Sequence, residues 1–367
     1  MPSTRQAIWV NGKFTAQPTT GVQRVAGELL CAVDRLLPES GRARPWVLLC
    51  PPDAHPPPLK HITIRTIGSH LGGLHFWEQA LLPAYSAGHL LLNLSGPAPL
   101  LKRRQVCMIP DAALFDCPGT YQFGFRLFYR TVFRVVAQTA PLLLTLSEYS
   151  RQRLSQHLGA SLAHAYVTYA GSEHLQSQPD DQALVAHLRL TDHPYLLAVA
   201  SQSPAKNVGR LIEAFHGMAH PSARLLLVGR LLPGVFSPMQ PSPDRSGRIV
   251  QLGAVTDQQL ATLYRHALGF VCPSLYEGLG LPPLEAMALG CPVAVSREAA
   301  LPEICGNGAA YFDPRSTDDI RRILEMLLAD AELRDTLRRN GRLVAARFTW
   351  ERSARRLLGA LEAAGLW

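Results

Sequence analysis

The chain has 367 residues, of which 47% are apolar and 17% charged. That is enough for two ordinary domains with large cores. The formal net charge of +8 is modest and spread along the chain; it suits a phosphorylated ligand or an anionic lipid surface, and no nucleic-acid module accompanies it. Seven cysteines, an odd number with no close pair, argue against a disulfide framework or zinc site and for free thiols in a reducing compartment. Residues 1–5 open no long apolar segment, so no signal peptide is expected. No run reaches the roughly 18 apolar residues that span a bilayer. His216 and His220 are four apart without a third ligand, and no Asp-x-Asp occurs, so no metal site is expected.

In chain order, residues 6–10 predict a first strand. A helical pattern then runs from Gly21 to Leu37, with Thr19 or Thr20 as its cap and with Gly21 and Arg24 at its positive end. Strands follow at 46–50, 61–67, 90–94 and 105–109, with a proline-rich loop at 51–58 and a helical segment at 74–85. Asp111, after Pro110, reads equally as a site residue or a helix cap. In residues 121–134, Arg126, Arg130 and Arg134 share one helical face among Phe125, Leu127, Phe128 and Phe133. Two readings fit that helix: a membrane-surface element with arginines on lipid phosphates, and a packed helix with a solvated basic stripe. A strand at 142–146 leads into Ser147 as a helix cap; the G-x-S-x-G elbow of a catalytic serine is absent. After a strand at 165–169, residues 171–193 read as the join between domains.

The second half opens with a strand at 195–200, then a loop bearing Lys206 and Asn207 before a helix with Leu211, Ile212, Ala214 and Phe215. Strands at 224–229 and 249–253 flank a Pro/Ser/Gly-rich loop at 231–247, and Thr256-Asp257 starts another helix. The alternation of strands and helices predicts doubly wound parallel sheets. Residues 269–293 then read as strand, tight glycine turn, short helix and strand. Gly278 and Gly280 lack side chains and allow close approach of a ligand. Pro282 or Pro283 fits the first helical position, where unpaired N–H groups suit phosphate oxygens. Glu285, in or near the first turn, is a bidentate acceptor suited to a vicinal diol such as ribose, and Glu277 at the strand end suits sugar hydroxyls. The plain alternative is an ordinary strand-turn-helix with a solvated glutamate at each end. The arginine-rich tail, 317–361, is helical, with a last helix from Trp350.

Glu277 and Glu285, the Gly278-Leu279-Gly280-Leu281 between them, and Glu285-Ala286-Met287-Ala288 with Gly290, Pro292 and Val293 closely resemble the signature of the retaining glycosyltransferases of family four. The resemblance extends over most of the chain and implies the GT-B fold, two Rossmann-like α/β domains facing across a cleft. It implies a first domain over 1–180, a nucleotide-sugar-binding domain over 190–345, and a helix over 346–367 that crosses back. It carries Gly21 to the donor diphosphate and acceptor, Lys206 with Asn207 to the diphosphate, Gly278 to Leu281 to the nucleotide, Glu285 to the ribose and Glu277 to the sugar. Two departures stand out. Relatives place His-Asp where this chain has Pro110-Asp111, and they carry an arginine near the lysine that is missing between Ser201 and Lys206. Either some charge neutralisation is then missing, or Arg24, Arg230 or Arg297 supplies it.

The implied reaction is metal-independent transfer of a hexose from a nucleotide diphosphate to a hydroxyl, with Lys206, Glu277 and Asp111 as the catalytic set. The start at Gly21–Arg24 and the 274–283 run resemble bacterial mannosyltransferases of surface polysaccharide synthesis, which implies GDP-mannose as donor and a lipid-linked glycan as acceptor, in the cytoplasm with peripheral contact to an anionic membrane. No nucleic acid is expected as a partner. Two other classes fit the sequence: a same-fold epimerase acting on the nucleotide sugar alone, and a noncatalytic sugar-nucleotide-binding partner protein.

Overall fold

Short apolar runs, too brief for helices, become strands, buried on both faces inside the sheets and open at edge strands such as Thr63–Thr66 and Ile249–Gly253. The structure, a computed structural model, describes residues 7–40, 44–69, 73–159, 164–199, 203–218, 220, 222–229 and 247–367. Arg230, Ser201, Gln202 and almost all of the 231–247 loop lie outside them. The first sheet contains β1 (Ile8–Asn11), β2 (Trp46–Cys50), β3 (Thr63–Thr66), β4 (Leu90–Asn93), β5 (Gln105–Met108), β6 (Leu142–Thr145) and β7 (Tyr166–Val167). The second contains β8 (Tyr195–Val199), β9 (Arg224–Val228), β10 (Ile249–Gly253), β11 (Gly269–Cys272), β12 (Val293–Ser296) and β13 (Ala309–Phe312).

Both sheets are parallel. Their orders are β3-β2-β1-β4-β5-β6-β7 and β10-β9-β8-β11-β12-β13. In each, strand order reverses between the first strand and its fourth, at β1/β4 and at β8/β11. Ligands of doubly wound sheets bind outside the carboxyl ends of such a pair.

The chain divides into two compact units. The first holds residues 1–112, 127–171 and 350–367, and the second holds 113–126 and 172–349. The expected boundary at 180 is corrected, because residues 172–181 are bonded to the second unit. Ser172 N–H donates to Phe348 O (3.1 Å), Arg265 to Gln178 O (2.6 Å) and to Asp180 (2.8 Å), and Asp181 N–H to Thr262 Oγ1 (2.8 Å). The last helix, Trp350–Ala363, packs along Gly21–Leu36 in the first unit.

The predicted helix at 74–85 is interrupted. Gly73–Phe76 and Leu82–Tyr85 are α-helical, and Trp77–Leu81 is a π turn in which Leu82 N–H reaches Trp77 O. Pro83 has no N–H to give and its ring crowds the carbonyl four residues earlier, which accounts for the widening. The π turn carries Glu78, fully buried, to the ends of β1 and β4. Glu78 Oε2 accepts from Lys13 Nζ (2.7 Å) and Oε1 from Asn11 Nδ2 (3.1 Å). Asn11 also donates to Asn93 Oδ1 (3.0 Å), and Asn93 to Gln105 Oε1 (3.0 Å). The Lys13 and Glu78 side chains are 1% and 0% exposed. Removing one member of a buried pair strands the other charge, so Lys13→Met is expected to cost the first unit about 3–5 kcal/mol. The measurement is an earlier transition in urea unfolding, and Glu78→Leu added to Lys13→Met should recover much of the loss.

Candidate active site

β8 and β11 are neighbours, with Leu197 opposite Phe270, so the loops that follow them emerge side by side. Both carry the expected site residues. After β11, residues 273–280 turn sharply into the helix Leu281–Ala288. Gly280 makes that turn at φ +93°, and a Cβ there would lie 2.8 Å from Leu301 Cδ2, so the backbone and the packing both demand glycine. Leu279 and Leu281 bury their side chains. Leu281 opens the helix, so Pro282 and Pro283 take its second and third positions, where a missing N–H also goes unneeded.

Glu277 stands at the head of this turn with its side chain 10% exposed. Its Oε1 accepts from Lys206 Nζ (2.6 Å), Ser274 Oγ (2.7 Å) and the Cys272 thiol (3.7 Å). Burial, with Glu277 beside it, pushes Cys272 up to about 12, so it stays a thiol. Among the described residues Oε2 has no protein partner, and it is not sealed from solvent. Glu277 is thus fixed by one oxygen and presents the other.

Lys206 ends the 3-10 turn Pro204–Lys206, and Asn207 follows in the left-handed region at φ +55°. Both N–H positions of the Asn207 amide are taken: Nδ2 donates to Pro273 O (3.1 Å) and Pro314 O (2.8 Å). With Leu275 N–H on Ala205 O (2.8 Å), these bonds pin the lysine loop to the turn. Sequence reasoning placed Lys206 on a diphosphate and missed its pairing with Glu277.

Glu285 lies at the fifth helical position, past the first turn, and is buried. Its Oε1 is 3.1 Å from His174 Nε2, and its Oε2 accepts from Tyr264 OH at 3.1 Å. Burial, followed by the charge and hydrogen bond of Glu285, pushes Tyr264 well above the ordinary phenol range, so it stays a donor. Neither contact was foreseen, and the polar stretch at 171–174 was their only trace in the sequence.

Gly21 and Asp111 belong to the first unit. Gly21 is the first residue of its helix, exposed, with open space where a side chain would stand. Thr20 holds the cap position, but its hydroxyl bonds the Gln23 side chain and not a backbone N–H. Asp111 is half-buried after β5. Of the cations expected to replace the missing arginine, Arg24 sits 3.6 Å from Glu28 in the first unit, and Arg297 points toward Asp319 (3.9 Å) and Tyr311 O (3.4 Å).

Residues 180–344 match the family model described as glycosyl transferases group 1. That match lies within the second unit. The chain is similar to the O-antigen chain mannosyltransferase B of Escherichia coli, 28% identical over 267 residues that cover 70% of each chain. It is 31% identical over 211 residues to the serotype-specific mannosyltransferase WbdA of Escherichia coli, covering 52% of this chain and 23% of that longer protein. In structure it is similar to Anabaena HepE, solved in complex with UDP and glucose, with a TM-score of 0.71, 17% identity and coverage of 98% and 100%. The chain thus has the two-domain α/β GT-B fold. In the second unit, Gly280→Ala is expected to cost about 1–3 kcal/mol through its positive φ alone, with the Leu301 contact adding to that. Thermal unfolding followed at the second unit's transition would show it.

Proposed function

We propose that the protein transfers a mannosyl group from GDP-mannose, with retention at the anomeric carbon, to a hydroxyl of a lipid-linked or oligosaccharide acceptor in surface polysaccharide synthesis. The observation that carries this reading is the Lys206–Glu277 pair at the reversal point of a group 1 glycosyltransferase sheet, with one carboxylate oxygen fixed and the other presented. The similarity to an O-antigen mannosyltransferase supports the sugar and the pathway class, and the HepE complex supports a nucleotide and a sugar as ligands of the shared fold.

In this reading the bond from C1 to the diphosphate oxygen breaks, and its electron pair stays with the leaving nucleoside diphosphate. The acceptor oxygen bonds to C1 on the same face, and its proton passes to a leaving phosphate oxygen. The growing negative charge is met by the Lys206 ammonium and by the N–H of Leu281 at the start of the helix Leu281–Ala288, where Pro282 and Pro283 have none to offer, without a metal. Glu277 Oε2 orients the sugar through its hydroxyls, and Glu285 takes the ribose. In the first unit, Gly21 and Asp111 keep the roles that the resemblance implies.

The assay is release of GDP from GDP-mannose in EDTA, with and without a membrane-lipid extract as acceptor, beside UDP-glucose. Acceptor-dependent GDP release undiminished by EDTA is expected, with the product anomer matching the donor by NMR. Lys206→Ala should lower turnover by about 10²–10³-fold, the usual cost of one oxyanion-stabilising donor. Sugar interconversion without GDP release would mean an epimerase, and tight binding without turnover would mean the noncatalytic protein that Pro110 otherwise suggests.

Contact with an anionic membrane on the cytoplasmic side fits the same reading. No described helix is long and apolar enough to cross a membrane. The helix Phe123–Thr139 buries Val132, Phe133, Val136 and Ala137, yet leaves Phe123 70% and Leu127 54% exposed. Arg134 is exposed beside them, whereas Arg126 donates to Pro118 O (2.9 Å), so the predicted arginine stripe is not uniformly solvated. Flotation with phosphatidylglycerol vesicles should carry the protein, and Phe123→Ser with Leu127→Glu should release it; equal flotation of the variant would overturn the contact.

A further inference from the structure

We infer that His174 is a positioning residue for Glu285, and that it and Tyr264 together make the donor site selective for ribonucleotides over 2′-deoxyribonucleotides. The inference rests on the proposed reading of Glu285 as the ribose acceptor.

A carboxylate has about four lone-pair sites on two oxygens. In Glu285 one contact on each oxygen is taken by protein: His174 Nε2 at 3.1 Å on Oε1 and Tyr264 OH at 3.1 Å on Oε2. No other protein partner of Glu285 stands among the described residues. One acceptor site per oxygen is therefore left, the number that two adjacent hydroxyls need. The side chains of Glu285 and His174 are only 7% and 4% exposed, and Tyr264 is fully buried. A carboxylate so far from water cannot rely on solvent to hold its orientation, so its rotamer is set by these two contacts.

The two supports come from different places. Tyr264 belongs to the helix Asp257–His266, and its ring packs edge-on against Phe270 of β11 at 5.5 Å. His174 lies in the 3-10 turn Glu173–Leu175, in the segment that leaves the first unit's last strand. That segment is held in turn by Ser172 on Phe348 O, by Gln176 Nε2 on Ala288 O (3.1 Å) and by Arg265 on Gln178 O. His174 is thus anchored on both sides and not a loose surface ring.

A site that hydrogen-bonds a hydroxyl discriminates strongly against the analogue lacking it, because its buried polar group is then left unpaired. The test measures dissociation constants for GDP and 2′-deoxy-GDP, and for UDP and 2′-deoxy-UDP, by calorimetry without metal. The unchanged protein should favour the ribonucleotide by about 10-fold or more, since a hydrogen bond to a charged group carries roughly that factor. In His174→Ala the ribonucleotide should weaken about 10-fold while the deoxynucleotide changes little, so the ratio collapses. His174→Gln, which keeps a side-chain N–H, should restore part of it, and Tyr264→Phe should lower the ratio from the other oxygen.

A general loosening of the fold would weaken both nucleotides equally, and that result in His174→Ala would overturn the inference. If Glu285→Gln erases the ratio but His174→Ala leaves it intact, the positioning role fails and the ribose reading stands. If Glu285→Gln itself leaves the ratio unchanged, the ribose reading falls. Should His174→Ala not fold, Tyr264→Phe and His174→Gln carry the same comparison, and an unchanged ratio in both would overturn it. No binding of either ribonucleotide by the unchanged protein overturns the donor site and this inference together.

Discussion

A carboxylate kept nearly out of water needs a cation or hydrogen-bond donors to hold it, and Glu277 has a cation, Lys206 at 2.6 Å. The pair joins two loops that the sheet has already made neighbours. The lysine loop follows β8, and the glycine turn follows β11. Around the charge contact, Leu275 N–H meets Ala205 O, and Asn207 bridges Pro273 O and Pro314 O. The loops are therefore held by backbone and side-chain bonds together, and a ligand meets a site already arranged. Pre-set dipoles and charges of this kind need no reorganisation when negative charge develops.

The two sheets share one strand order and use its reversal point in opposite ways. In the second unit the ends of β8 and β11 hold a carboxylate with one presented oxygen. In the first unit the ends of β1 and β4 are filled by Lys13, Glu78, Asn11 and Asn93, bonded to one another and buried. A polar cluster in such a place specifies how the strand ends meet the π turn above them, because each member is satisfied only in that arrangement. Fold alone thus does not decide where chemistry sits; the residues at the strand ends do.

Much of this was legible in the sequence, and for identifiable reasons. Strands reveal themselves as short apolar runs, and the turn at Gly278 and Gly280 as glycines between two acids and a proline pair. Ser147 and Thr256 read correctly as helix caps: Ser147 Oγ accepts from Ser150 N–H at 3.0 Å, and Thr256 forms a capping box with Gln259. Long-range pairings were invisible. Lys13 and Glu78 are 65 residues apart, and His174 and Glu285 are 111 apart. No periodicity marks such partners, since they meet only after β-strands from distant stretches have paired. Asn207 was read as a ligand contact from its place beside Lys206, whereas its left-handed backbone and two carbonyl partners make it a clamp. The π turn lies inside the segment 74–85 that reads as one helix, because the effect of Pro83 on the preceding turn is local geometry that no apolar pattern marks.

The first unit is assembled from both ends of the chain. Its strands come from the first 171 residues, but its helix Gly21–Leu36 is covered by Trp350–Ala363, Arg44 donates to Leu366 O at 2.7 Å, and Trp46 meets Trp367 edge-on at 6.5 Å. Domains ordinarily mature on the ribosome in order from the amino terminus. Here the second unit's residues, up to 349, are all synthesised before the first unit's last helix, Trp350–Ala363. The face of Gly21–Leu36 that Trp350–Ala363 covers stays open until that later helix has been made. Loss of Leu366 and Trp367 would therefore be felt in the unit that was made first.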